Sequence, residues 1–190
     1  MRWPICIGVA GILLGAVVAS GLWLTGDSAG ADVQFEENGQ VVSAAMSQDD
    51  AIREASERLG FTLRVPGHVP AGFVLTHVRA DVGPVGPDQD GVIRDLSSFR
   101  IGSIVYRHPD GTLLMIDQFP PERSTKGVYG SRPADPGVGG VESEFFQRTQ
   151  AAHLTWDSTE ATYTARLAHR DGGLPADAEA ILLAVLRSMN

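Results

Sequence analysis

The hydrophobic pattern changes period along the chain. From Trp3 to Leu24 no side chain is charged, and Ile, Val and Leu recur without a polar face. As a helix, about 22 residues reach roughly 33 Å, enough to cross a hydrocarbon core of about 30 Å. Residues 25–46 are rich in Gly, Ser, Ala, Asp and Gln, which reads as a linker or a loosely held strand around Val41-Val42. At Ser47 the period becomes helical. Ile52, Ala55 and Leu59 share one side while Arg53, Glu54, Glu57 and Arg58 face water. Ser47 can cap this helix, Asp49 and Asp50 suit its positive end, and Gly60 is its expected stop.

Alternation then dominates. Phe61–Val65 reads as a short strand, and Pro66 and Pro70 force an extended, turned connection. Gly72 precedes a strand-like run from Phe73 to Val82, and residues 83–98 form a Gly-Pro-rich loop. Phe99–Arg107 and Thr112–Phe119 make a hairpin turned by His108-Pro109-Asp110-Gly111. After a second loop over residues 120–137, strands are expected at Val138–Gln147, Ala152–Trp156 and Ala161–Ala168. Ile181, Leu182, Val185, Leu186 and Met189 form the apolar stripe of a final helix, with Pro175, Asp177 and Glu179 at its start. The expectation is an α+β fold: an N-terminal membrane helix, then an antiparallel sheet of about six strands flanked by an N-terminal and a C-terminal helix. Residues 1–31 would be the membrane anchor or signal segment, 32–46 the linker, and 47–190 the extracytoplasmic domain.

Flanking charge orients the apolar segment. Arg2 precedes it, while Asp27, Asp32, Glu36 and Glu37 follow, so the N-terminus belongs in the cytoplasm and the domain outside. Trp3 and Trp23 suit the two interfaces. Ala29-Gly30-Ala31 fits a small-x-small cleavage site, with Ala29 and Ala31 as its small residues. Against cleavage, the run exceeds the usual 7–15 residues of a signal-peptide core. Two outcomes stay open: an anchor holding residues 3–24 in the cytoplasmic membrane, or a domain released by cleavage and secreted. Gly11 and Gly15 match a small-residue dimerisation pattern that chance supplies in so Gly-rich a stretch. Trp3-Pro4-Ile5-Cys6 lacks the small residue and apolar core of a lipid-attachment leader, so Cys6 reads as an unmodified buried thiol.

Composition narrows the class. The 190 residues carry 15 Lys+Arg against 23 Asp+Glu, a net charge of −8, with 43% hydrophobic residues. The length fits one domain plus a short segment. An acidic balance argues against nucleic acid, whose phosphates call for a basic face. One cysteine forms no internal disulfide and no Cys-rich zinc site.

The sequence holds no catalytic constellation. Asp88, Asp90, Gly91 and Ile93 match part of a calcium loop, but Gly86 and Ser97 occupy its first and twelfth positions, where carboxylates belong. None of His68, His77, His108, His153 and His169 is paired at the i, i+4 spacing of a zinc motif. There is no Gly-x-Ser-x-Gly elbow: Ser103 follows Gly102 inside a strand. Gly137-x-Gly139-Gly140 leads into β-like sequence rather than a helix start, unlike a phosphate loop. The carboxylate pairs Asp88/Asp90 and Glu142/Glu144 are non-specific. No cofactor and no metal is expected. Aromatic residues are spread over nearly every expected strand. They build a core, and they are also compatible with a groove for a lipid or apolar peptide under the helices.

Pro66-Gly67-His68-Val69-Pro70-Ala71-Gly72-Phe73 has the order Pro, two residues, apolar residue, Pro-x-Gly-aromatic. With the hairpin around Ile104-Val105-Tyr106, the segment Leu154-Thr155-Trp156 and a terminal helix, it resembles an uncharacterised bacterial extracytoplasmic domain. That domain occurs behind a single membrane helix in anti-sigma-factor-like, sporulation-associated and lipoprotein-carrier-like proteins. The resemblance spans about residues 48–189, and the loops at 83–98 and 120–137 depart from it. It implies a non-catalytic domain that binds or senses something outside the cytoplasmic membrane, with an envelope protein, peptide or lipid as the expected partner; Ala29-Gly30-Ala31 and the distributed aromatic residues keep a released lipid or lipoprotein carrier as the alternative. The resemblance supplies no catalytic residues. Pro66, Pro70 and Gly72 are expected to set the backbone between first helix and sheet, with Trp156 as a core anchor.

Overall fold

The computed structural model describes residues 32–84, 98–120, 132–134, 143–158 and 160–189. The first turn sits at Asn38-Gly39, both left-handed, with φ of 48° and 75°. These are the angles of a two-residue type I′ turn, which Gly adopts freely and Asn tolerates. The turn joins β1 (Val33–Glu37) to β2 (Gln40–Met46), with Glu37 opposite Gln40. Asn38 also ties the turn to the next strand: its Oδ1 accepts the Val82 amide at 2.8 Å and its own amide donates to Ala80 O at 3.2 Å.

Helix α1 (Gln48–Leu59) begins where local chemistry dictates. The Ser47 hydroxyl accepts the Asp50 amide at 3.2 Å, and Gly60 closes the helix with its amide on Ser56 O at 2.9 Å. Ala51, Ala55 and Leu59 are its buried stripe. The remaining elements are β3 (Val74–Pro84), β4 (Ser98–Arg107), β5 (Leu113–Phe119), β6 (Arg132–Pro133), β7 (Ser143–Gln147), β8 (Ala151–Asp157), β9 (Thr162–Ala168) and α2 (Ala178–Arg187). One sheet holds all the strands in the order β2-β1-β3-β4-β5-β9-β8-β7-β6. Each neighbouring pair is antiparallel apart from β1 and β3, which run parallel with Phe35 opposite Val78.

The fold expected from the pattern therefore needs correcting. Among the described residues the sheet has nine strands rather than about six, and it is mixed rather than antiparallel. The stretch read as a linker or a loosely held strand around Val41-Val42 holds two paired strands, Val33–Glu37 and Gln40–Met46. The hairpin is held against α1 by an ion pair between Glu37 and Arg58, whose guanidinium also lies 5.4 Å from the centre of the Phe35 ring. Phe61–Val65 alternates but is no strand; it is irregular chain lying against Gly102 of β4 and Gln118 of β5. Two residues of β6 extend the far edge, where Arg132 faces Phe145. The expected membrane helix falls within residues 1–31, outside the described residues. Among the described residues no helix is long and apolar enough to cross a membrane.

Both helices cover the same face of the sheet, α1 over β1, β3 and β4, and α2 over β8 and β9. Cross-strand register lines Phe35, Val78, Ile104, Ile116, Ala165, Leu154 and Phe145 into one buried row beneath them. The gap between the helices is closed by the segment after α1. Leu63 presses on Gly102 of β4, where a Cβ would lie 2.4 Å from Leu63 Cδ1. Arg64 bonds Gln118 of β5 through its backbone, and the Gly67 amide donates to Ser188 O, just past α2, at 3.0 Å.

Candidate functional site

Alternate residues of the same strands lie on the opposite face, against which no helix packs among the described residues. Register places Glu36, Arg79, Ser103, Asp117, Thr164, Thr155 and Glu144 opposite one another across seven strands. A second row runs Gln34, His77, Val105, Met115, Arg166, His153, Phe146. A solvent-facing sheet side is normally polar, but here the polar groups are fixed to one another.

Arg79 stands between two carboxylates, its Nε 3.0 Å from Glu36 and its Nη2 3.4 Å from Asp81. Asp117, on central strand β5, is only 14% exposed. Ser103 Oγ donates to its Oδ1 at 2.6 Å, and Arg166 Nη2 lies 3.7 Å from its Oδ2. Burial pushes the Asp117 carboxyl above its usual range; the Ser103 bond and the Arg166 and Arg79 charges oppose this, and Asp81 adds to it. On the next strands His153 faces Arg166 and meets the edge of Phe146 at 6.0 Å, while Arg148 lies 5.2 Å from the Phe146 ring centre. Burial, then the Arg166 charge, pulls His153 below the ordinary histidine range.

Where β5, β9 and β8 end, this face holds a depression of about 410 Å³ walled by Arg166, Arg170, His153, His169 and Gln150, with Leu113 beside them. A neighbouring hollow of about 470 Å³ surrounds the β7–β8 turn from Arg148 to Ala151. Ser103 is 3% exposed and its hydroxyl is committed to Asp117. Among the described residues no histidine nitrogen bonds either partner, so the pair lacks the base that would activate a serine. No group of three or more His, Cys, Asp or Glu is placed to hold a metal among the described residues.

Comparison with family models, characterised proteins and solved structures finds no match.

The residues singled out from the sequence are not gathered into one site. Pro66 is buried where the connecting segment meets the end of α2. Pro70 O accepts the Phe73 amide at 3.3 Å in the turn that follows. Gly72 has a φ of 86° against the His108 ring, where a Cβ would lie 2.5 Å from Nε2. Trp156 is 4% exposed on the helix-covered face, stacked on Tyr163 with ring centres 5.0 Å apart. Ala29 and Ala31, residues 3–24, the calcium-like stretch and the Gly137–Gly140 run lie outside the described residues. Sequence reasoning missed Asp117 and Arg166. The available signal was a charge in the middle of an apolar, alternating strand, a residue type that is buried only when paired.

Proposed function

We propose that the chain is a binding or sensing domain held at the outer side of the cytoplasmic membrane by residues 3–24, and that the helix-free face of its sheet is where the partner docks. The observation that carries this reading is the asymmetry of the sheet. One face is sealed by α1, α2 and the segment between them, whereas the other presents a row of polar and charged side chains in which Glu36 is paired with Arg79 and Ser103 with Asp117. A face whose side chains are already held by their neighbours loses little conformational entropy when it is contacted. The alternative of a released carrier needs a groove beneath the helices, and it draws no support from a face on which Leu154, Ile116, Leu182 and Leu186 are all fully buried.

The test uses the full chain in its host membrane. A photo-crosslinking side chain is placed at Met115 or Thr164 on the helix-free face, and at Glu57 on the exposed side of α1 as the reference. The reading expects a discrete adduct from the first two positions only, together with resistance of the chain to carbonate extraction. Equal adducts from Glu57, or a chain recovered in the soluble fraction without residues 1–31, would overturn the docking face or the anchor respectively.

A further inference from the structure

The depression at the ends of β5, β9 and β8 carries a more specific assignment, which rests on the helix-free face being the binding side. We propose that it is a site for a small organic oxyanion, a phosphate or carboxylate group carried on a compact body, gripped by Arg166 and Arg170.

Charge is the first argument. The chain has a net charge of −8, yet no carboxylate side chain lines this depression among the described residues, while the guanidinium groups of Arg166 and Arg170 do. Of the acidic groups around it, the Asp110 carboxylate takes the Thr112 amide at 2.7 Å and lies 2.9 Å from His108 Nδ1, and Asp171 follows Arg170 in the chain but is not part of the lining. Asp117 is held by Ser103. Local cationic concentration on an acidic protein attracts anions against the overall field.

Unspent hydrogen-bonding capacity is the second. Arg166 Nη2 lies 3.7 Å from Asp117 Oδ2, beyond hydrogen-bond distance, on a side chain that is 36% exposed. A guanidinium in that condition has donors to give, and its planar fork matches the paired oxygens of a phosphate or carboxylate. The opposite wall is anchored in place. Gln150 Nε2 donates to Arg170 O at 3.0 Å, and a His169 ring nitrogen lies 3.1 Å from Asp110 O. The turn that carries His169 and Arg170 is thereby tied to the β7–β8 turn and to the β4–β5 hairpin.

Size is the third. About 410 Å³ exceeds what a bare phosphate fills and lies in the range of small-ligand sites. Leu113, Ala151 and Ala168 add apolar wall for the body that carries the anion.

The experiment is calorimetric titration of the full chain in zwitterionic nanodiscs with sn-glycerol 3-phosphate, with citrate, and with nanodiscs doped with phosphatidylglycerol. The proposal expects saturable binding of at least one probe, weakened tenfold or more in Arg166→Gln and in Arg170→Gln. Arg53→Gln on distant α1 should bind as the parent does. Binding of the soluble probes alone assigns a soluble ligand, and binding only to doped discs assigns a lipid headgroup. Folding of each variant is checked by an unchanged near-ultraviolet circular dichroism spectrum. If every probe fails, or if binding survives both substitutions, the oxyanion site is wrong. Crosslinks from Met115 and Thr164 would still stand in that case, so the two failures are separable.

Discussion

The side-chain amide of Gln118 closes a two-bond ring with the backbone of Arg64, 54 residues away: Nε2 donates to Arg64 O at 2.6 Å and Oε1 accepts the Arg64 amide at 2.9 Å. Gln118 is fully buried, so it stands in for a strand partner where none exists. Replacing it with Met keeps the volume and orphans both backbone groups. A buried unpaired group costs about 1–3 kcal/mol, so Gln118→Met should destabilise by about 2–4 kcal/mol in urea denaturation. A change under about 0.5 kcal/mol would show that water reaches the segment.

Trp156 and Tyr163 form a cross-strand stack beside Gln118. Removing the indole opens a cavity in a packed interior and takes away the Tyr163 contact. Trp156→Ala should cost about 3–5 kcal/mol. A loss below about 1 kcal/mol would place the ring at the surface.

The Asn38-Gly39 turn is the keystone of the first two strands. Gly39→Val forces a β-branched residue to a φ of 75°, at a cost of about 1–2 kcal/mol. Hydrogen exchange should report the weakening first at the amides of β1 and β2. Uniform loss of protection across the sheet would instead mean that the hairpin folds as one unit with the core.

Acid should act on the helix-free face with two opposite signs. His153 is held below its ordinary value of 6.5, so the unfolded chain takes up this proton first and stability falls as pH drops below about that value. Arg166 across on β9 and Phe146 across on β7 are the groups that face it. Asp117 is held above its ordinary 3.8, so here the folded chain takes the proton first and stability is regained as pH falls through the raised value towards 3.8. Denaturation curves between pH 4 and 7.5 should show a shallower loss below pH 6.5 in His153→Gln. Asp117→Asn should compare worse with the parent at pH 4 than at pH 7. Parallel pH profiles for all three proteins would contradict both shifts.

What the chain reveals locally, it reveals well. Ser47 and Gly60 bound α1, and His108 to Gly111 turn the β4–β5 hairpin, because caps and turns depend on residues a few positions apart. Asn38-Gly39 between alternating positions is a strong hairpin signal for β1–β2, which a reading from small, polar composition passes over. Phe61–Val65 misled for a physical reason. Its alternation is real, but the partner of its backbone is a side chain on β5, which no local pattern encodes. The candidate site lay furthest from view. Glu36 meets Arg79, and Ser103 meets Asp117, only after strands distant in sequence fall into register.

The start of β1 at Val33 also sets a leash. Only eight residues separate Leu24 from Val33, and fully extended they span about 28 Å. With residues 3–24 in the bilayer, β1 can begin no farther than that from the membrane surface. Recognition would then be confined to a thin layer over the lipid, where a partner must come to the membrane to be met.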